Sequence, residues 1–244
     1  APRRWAPGPK IAVVYLAGDM IDGQSRYIPF IGLRLAGSRT ISDALREARE
    51  DPSIKAVVFR IATNGGSTLA SDVILREARL TAQAKPMVVS MASSAASGGY
   101  YVAASGAPIY ANRSTLTGSI GVYYGKADLS GLLGKLGVGV ELFRSSPRAD
   151  AESFFRPFTD DERQELGRKV KQFYDLFVGR IAEGRGMSPA RIDELGRGKV
   201  WLGVDAKRVG LVDHLGGLRE AIAAAREAAD LRDDAPIVEL PDED

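Results

Sequence analysis

Lys55-Ala56-Val57-Val58-Phe59-Arg60-Ile61 leads into Thr63-Asn64-Gly65-Gly66-Ser67, and a helical pattern then runs from Ser67 to Ala82. Within the first seven residues, Ala56-Val57-Val58-Phe59 is an unbroken apolar run with little alternation, which is how a strand buried on both faces reads. A glycine pair breaks it, and a helix follows. The event repeats: Pro86 to Met91 forms a second buried run, Ala92 to Gly99 is rich in serine, alanine and glycine, and Tyr100 to Ala104 continues as a short buried helix. Strands that alternate with helices in this way predict an α/β architecture.

Working outward, Ile11 to Leu16 reads as another buried strand and Thr40 to Glu50 as a helix, with Ile41, Ala44, Leu45 and Ala48 at helical spacing. In the Ser67–Ala82 helix, Val73, Ile74 and Leu80 are expected to face inward. Downstream, Pro108 to Tyr110, Ser119 to Tyr124 and Val138 to Phe143 are expected strands. Thr159 with Glu162 three residues on is a capping box. It opens a long helix striped by Leu166, Val170, Phe173, Phe177 and Ile181, a stripe for core or subunit packing. Ser188-Pro189 opens a helix ending near Gly196, and a last amphipathic helix runs from Gly217 to about Ala229. The division expected is a flexible segment over 1–9, one domain over 10–232, and a strand with an acidic tail over 233–244, where Asp242-Glu243-Asp244 frays.

Composition excludes several chemistries. Lys+Arg number 33 and Asp+Glu 31, a near-balance that argues against a dedicated nucleic-acid binder. Cysteine is absent, which removes disulfides, thiolate nucleophiles and Cys-ligated metals. His214 is the only histidine, so a multi-His metal site cannot be built and a Ser-His-Asp triad would depend on that one imidazole. It reads as a surface or helix-entry residue. No cofactor or metal is implied. No run approaches the ~18–20 apolar residues of a membrane span; the short, basic, Pro-containing Ala1 to Pro9 reads as an engineered start or a cut site, and any anchor would lie elsewhere.

Three stretches carry candidate chemistry. Asn64-Gly65-Gly66-Ser67 lets backbone approach a ligand and turns N–H groups outward at a helix start, suiting a phosphate or an oxyanion; a tight turn is the plainer reading. Ala95-Ala96-Ser97-Gly98-Gly99-Tyr100-Tyr101 sets Ser97 at a helix start among small residues. An N-cap would explain the serine but not the two glycines. In Ser114-Thr115-Leu116-Thr117-Gly118-Ser119-Ile120-Gly121, hydroxyls either satisfy loop backbone or orient a base. Tyr27-Ile28-Pro29-Phe30-Ile31-Gly32-Leu33 is a greasy loop that either contacts a neighbour or a substrate path, or folds onto its own core.

Together with Gly198-Lys199-Val200-Trp201-Leu202-Gly203 and Gly210-Leu211-Val212-Asp213, these stretches resemble the signal peptide peptidase A (SppA) family of Ser-Lys proteases over about Lys10 to Ala229. The resemblance implies a Clp protease/crotonase-like α/β fold of repeated ββα units with a carboxy-terminal helical portion. It implies Ser97 as nucleophile, Gly98 with Gly66 or Gly65 as oxyanion hole, and Ser119 as the serine that hydrogen-bonds the catalytic lysine. It further implies peptide substrates (cleaved signal peptides, unfolded segments), a homo-oligomeric ring, and an extracytoplasmic, periplasmic placement at a bacterial membrane.

One position departs from the family pattern. Ala149, within Ser145-Ser146-Pro147-Arg148-Ala149-Asp150, stands where short members carry the lysine, and neither alanine nor the permanently charged Arg148 accepts a proton. Lys126 is the next lysine to consider. The run resembles the carboxy-terminal half of the long tandem members, whose amino-terminal half supplies the amine. The expectation is a chain with nucleophile and oxyanion hole, inactive or nearly so without a lysine-bearing partner half. Two other readings remain open on sequence: an inactive scaffold half, and a crotonase-like acyl-CoA enzyme that uses the paired N–H groups for an enolate.

Overall fold

The computed structural model describes residues 8–242, so most of the segment expected to be flexible, and the tail residues Glu243 and Asp244, lie outside the described residues. In chain order the elements are β1 (Lys10–Ala17), β2 (Asp19–Ile21), β3 (Arg26–Ile28), β4 (Leu33–Gly37), α1 (Ser38–Glu50), β5 (Ile54–Thr63), α2 (Thr68–Ala84), β6 (Met87–Ala96), α3 (Gly98–Ala103), β7 (Ile109–Ala111) and β8 (Leu116–Gly118). There follow α4 (Ser130–Lys135), α5 (Asp160–Arg185), α6 (Pro189–Leu195), β9 (Val200–Leu202), α7 (Gly203–Arg208), β10 (His214–Leu215), α8 (Leu218–Ala228) and β11 (Ile237–Leu240).

Two compact units result, one comprising 1–121 and 177–244, the other 122–176. The first is built on a sheet of order β10-β7-β6-β5-β1-β11, parallel throughout; β8 also joins β6 in parallel, and β9 pairs β8 antiparallel. Central strands of such a sheet are covered on both faces, which explains their unbroken apolar runs: Ile11, Val13, Val14, Val57, Val58, Phe59, Ile61, Val89 and Met91 are all buried. Leaving water stabilises each large side chain by about 1.5–3 kcal/mol. On one face α8 packs Ala221 and Ala225 against Ile11, Val13, Ala56, Val58 and Val88. A small sheet, β2-β4-β3, stands apart from this one.

The α/β expectation and the three leading strands hold, as do α1, α2, α3, α6 and α8. Four details differ. β6 does not end at Met91 but continues to Ala96, through the small-residue stretch. Val73 is exposed, because the inward stripe of α2 is Ala70, Ile74, Ala78 and Thr81, and Val73 sits a hundred degrees round from Ile74. Ser119 to Tyr124 is not a strand: β8 occupies Leu116–Gly118 and ends where Ser119 takes a φ of 48°. Val138 to Phe143 has no regular structure either, and Val138, Val140 and Phe143 are exposed. The greasy loop does not fold onto its own core: Phe30 is 101% and Ile31 70% exposed.

In the second unit the capping box forms as expected. Glu162 N–H donates to Thr159 Oγ1 at 3.2 Å, and Thr159 N–H donates to Glu162 Oε2 at 2.9 Å. Arg156 bridges Asp150 and Glu162, donating to both oxygens of each carboxylate at 2.6–2.8 Å. This guanidinium, more than any other group, holds both acids down to about 2.

Candidate active site

Ser97 is the residue between β6 and α3, and its backbone is bent against the preference of an L-amino acid: φ is 52° and ψ −120°. That pair is the first central position of a type II′ turn, favoured by glycine, and costs a serine about 1–3 kcal/mol. A strand-to-helix turn of this kind lifts the intervening side chain clear of both elements. The hydroxyl does not cap α3. Ser67 behaves in the opposite way, for it has ordinary extended torsions and its Oγ accepts from Ala70 N–H at 3.2 Å. The N-cap explanation thus fits Ser67 and fails for Ser97.

The glycine corner after β5 is built against this turn. A Cβ on Gly65, whose φ is +112°, would lie 2.8 Å from Gly98 N and 2.9 Å from Ser97 Cβ. No larger residue fits. Gly65 N–H donates to Thr63 Oγ1 at 3.0 Å and is buried. Gly66 is exposed and bridges Met20 of β2, with Met20 N–H donating to Gly65 O and Ser67 N–H donating to Met20 O. In a parallel bridge of that pattern the central residue's own N–H points away from its partner. Gly66 N–H is therefore the donor of this corner turned outward. Gly98 N–H opens α3 and has no acceptor within the helix. These two donors belong to the two turns that meet where Gly65 packs against Ser97 and Gly98.

β8 brings up the third stretch. Ala96 pairs with Gly118, and Ser97 N–H donates to Gly118 O at 2.9 Å, so Ser119 directly follows the residue bonded to Ser97. Its N–H donates to Lys199 O at 2.8 Å. The threonines serve the backbone, Thr115 Oγ1 donating to Ala92 O and Thr117 Oγ1 to Ala95 O. Below the turn, buried Tyr100 donates to Leu211 O, and Tyr101 donates to Asp72 Oδ1; burial pushes both phenols well above their ordinary pKa. These bonds fix α3 under Ser97.

The lysines of this unit do not supply an obvious base. Lys199 comes near Ser119 through its backbone, which sequence alone did not disclose, but its side chain is exposed and Nζ donates to Glu194 O at 2.8 Å. Lys85 Nζ donates to Ala48 O and Asp51 O, at the other end of β6 from Ser97. Lys10 pairs with Asp51, Lys207 donates to Asp213 O, and Lys55 is exposed. His214 stacks on Tyr110 at 4.6 Å, with β7 between its strand and β6. In the other unit, Ala149 lies in a turn with its N–H on Ser146 O, Arg148 pairs with Asp161, and Lys126 Nζ donates to Ala151 O and Ser153 O. No group of three or more His, Cys, Asp or Glu that could hold a metal ion, and no helix long and apolar enough to cross a membrane, occurs among the described residues.

The chain is similar to known peptidases. Residues 79–232 match peptidase family S49. The chain is 36% identical over 229 residues to Protease 4 of Haemophilus influenzae, covering 93% of this chain and 36% of that protein. It is 38% identical over 206 residues to the chloroplastic serine protease SPPA of Arabidopsis thaliana, covering 82% of this chain and 30% of that one. The chain thus spans about a third of the length of these relatives. Its fold is similar to that of a ClpP1 variant from Listeria monocytogenes, with a TM-score of 0.55 at 14% identity, over 86% of this chain and 94% of the other. The α/β sheet is accordingly Clp-like.

Proposed function

The chain belongs to peptidase family S49, and on that premise we propose that it is a serine peptidase whose nucleophile is the Ser97 hydroxyl. The observation that carries the reading is the strained Ser97 turn, its hydroxyl not used as a cap, set against the Gly65-Gly66 corner. Attack of Ser97 Oγ on a peptide carbonyl forms a C–O bond and moves the π electrons onto oxygen. Gly98 N–H and Gly66 N–H stabilise that oxyanion, and losing one such donor costs about 2.7–4 kcal/mol.

The hydroxyl proton needs an acceptor. A neutral lysine amine serves, oriented by the Ser119 hydroxyl, and then protonates the departing amine nitrogen; water subsequently hydrolyses the acyl-serine ester. With Ala149 at the position where short family members have the amine, this lysine belongs to a partner domain. The larger size of the relatives leaves room for one. The substrates are cleaved signal peptides and other unfolded segments, met in a membrane-associated, extracytoplasmic ring assembly.

The test is a fluorophosphonate probe and a fluorogenic unstructured peptide, applied to the chain alone and mixed with a lysine-bearing half. Labelling at Ser97 and cleavage are expected only in the mixture. Labelling of a different serine would overturn the nucleophile. Full cleavage by the chain alone, lost in Ser97→Ala, would overturn the shared base and leave Ser97 in place.

A further inference from the structure

Away from Ser97, one face of the main sheet carries a transverse row of polar and aromatic residues. Register pairs Tyr15 with Arg60, Arg60 with Ser90, Ser90 with Tyr110, and Tyr110 with His214, so five neighbouring strands present these side chains side by side. Tyr15 donates to Glu239 Oε1 at 3.1 Å, and Tyr110 stacks with His214. Arg60, at the centre, is half-buried. Its Nη1 donates to Ser90 Oγ at 2.9 Å and Met91 O at 3.0 Å, both neutral acceptors. Among the described residues, Nε and Nη2 have no protein partner and reach solvent, and no carboxylate pairs with the guanidinium.

A guanidinium cannot shed its charge, and half-burying it without a counter-charge is unfavourable. Burial here does act against the charged form. The neighbouring surface is also unusual. One step further along the same face, Ala17 pairs with Ala62 on β5, and Ala92 follows Ser90 by two on β6; all three are open or partly open to solvent. Parallel sheets ordinarily cover both faces of their central strands. Here a floor of methyl groups stays bare, ending at an unpaired cation.

We propose that this floor holds an extended peptide and that Arg60 captures its free α-carboxylate, a reading that rests on the peptidase function above. The two open nitrogens match the two oxygens of a carboxylate. The spacing sets a length. Thr63 is opposite Ala95, so Arg60 lies three residues back along β5 from that point and Ser97 two residues forward along β6. At about 3.3 Å per residue the separation along the strands is roughly 17 Å, so a peptide that reaches Ser97 over the strand ends spans at least about five residues. The site would favour short peptides with a free carboxyl end, which are the products of earlier cleavage, over internal segments of a longer chain.

Binding to the isolated chain tests this without any catalysis. A twelve-residue unstructured peptide, labelled at its amino end, is titrated by fluorescence anisotropy as the free acid and as the carboxamide. The acid is expected to bind about tenfold more tightly, the size of one partly solvated charge-assisted contact. Arg60→Gln removes the preference and Arg60→Lys keeps part of it. Equal affinity of acid and amide for the unaltered chain overturns the proposal, even should Arg60→Gln fail to fold. An undiminished preference in Arg60→Gln overturns it too. Absence of Ser97 labelling in the mixed halves, with the acid preference intact, would remove the peptidase reading and leave the carboxylate site standing.

Discussion

Replacing Gly65 by alanine tests the site where its geometry is tightest. Two penalties add. A residue with a Cβ at φ +112° costs about 1–2 kcal/mol. The new methyl would also meet Gly98 N at 2.8 Å, Ser97 Cβ at 2.9 Å and Ala96 O at 3.2 Å, and overpacking of this kind costs about 1–3 kcal/mol. Gly106 separates the two: its φ is +98° and nothing lies within 4 Å of its Cβ position. Gly106→Ala should therefore lose only the conformational part, and Gly65→Ala about twice as much in thermal or urea unfolding. The atoms to be displaced are the backbone of the Ser97-Gly98 turn, so Gly98 N–H, the proposed oxyanion donor, moves with them. Fluorophosphonate labelling in the mixed halves should fall about 10²–10³-fold for Gly65→Ala and stay unchanged for Gly106→Ala. Equal unfolding of the two variants, with full labelling of both, would refute the packing of the glycine corner against the nucleophile.

Ser97→Gly should raise stability by about 1 kcal/mol, since glycine accepts the φ of 52° that serine resists, while abolishing labelling; a destabilised Ser97→Gly would mean that the turn is not strained. Acid should loosen the segment 122–176. Asp150 and Glu162 titrate near 2 in the folded chain, below their ordinary values of about 4. Depressed carboxylates stabilise the fold above the unfolded pKa and lose that contribution as pH falls from about 4 to 2. Hydrogen exchange between pH 5 and 2.5 should show protection of the Thr159 turn falling through that window, and Arg156→Gln should remove the pH dependence.

Much of the sheet was legible because central parallel strands leave an unmistakable mark: Ile11-Ala12-Val13-Val14, Ala56-Val57-Val58-Phe59 and Met87-Val88-Val89 are unbroken apolar runs, buried on both faces. The small sheet left no such mark. β2, β3 and β4 are three to five residues long, and all of β3 is exposed. Val138 to Phe143 misled for the converse reason, with valines spaced as in a strand but no neighbouring strand to pair with. At the site, residue types and order could be read, with Gly66 favoured over Gly65, whereas the contacts behind that choice could not. That choice depends on Thr63 taking the Gly65 N–H and on Met20 reaching Gly66 across some forty-five residues of chain. Arg60 was hidden in plain view inside a strand that reads as core.

Backbone strain alone does not single out Ser97. Among the described residues, Ser97, Ser119, Arg197 and Asp230 are the non-glycine residues with positive φ. Arg197 and Asp230 each stand two residues past the end of a helix, after α6 and α8, where a left-handed residue commonly closes the last turn. The two serines have no helix to end. Each follows a strand, in adjacent parallel strands joined at that level by the Ser97 N–H to Gly118 O bond, and each keeps a side chain where glycine would relieve the backbone. A chain that places glycine at 65, 66, 98, 99 and 118 around them had the simpler residue to hand. Retaining a hydroxyl at 97 and at 119, against a torsional penalty at both, is what the proposed chemistry would require: one oxygen to attack, and one to hold the amine that takes its proton.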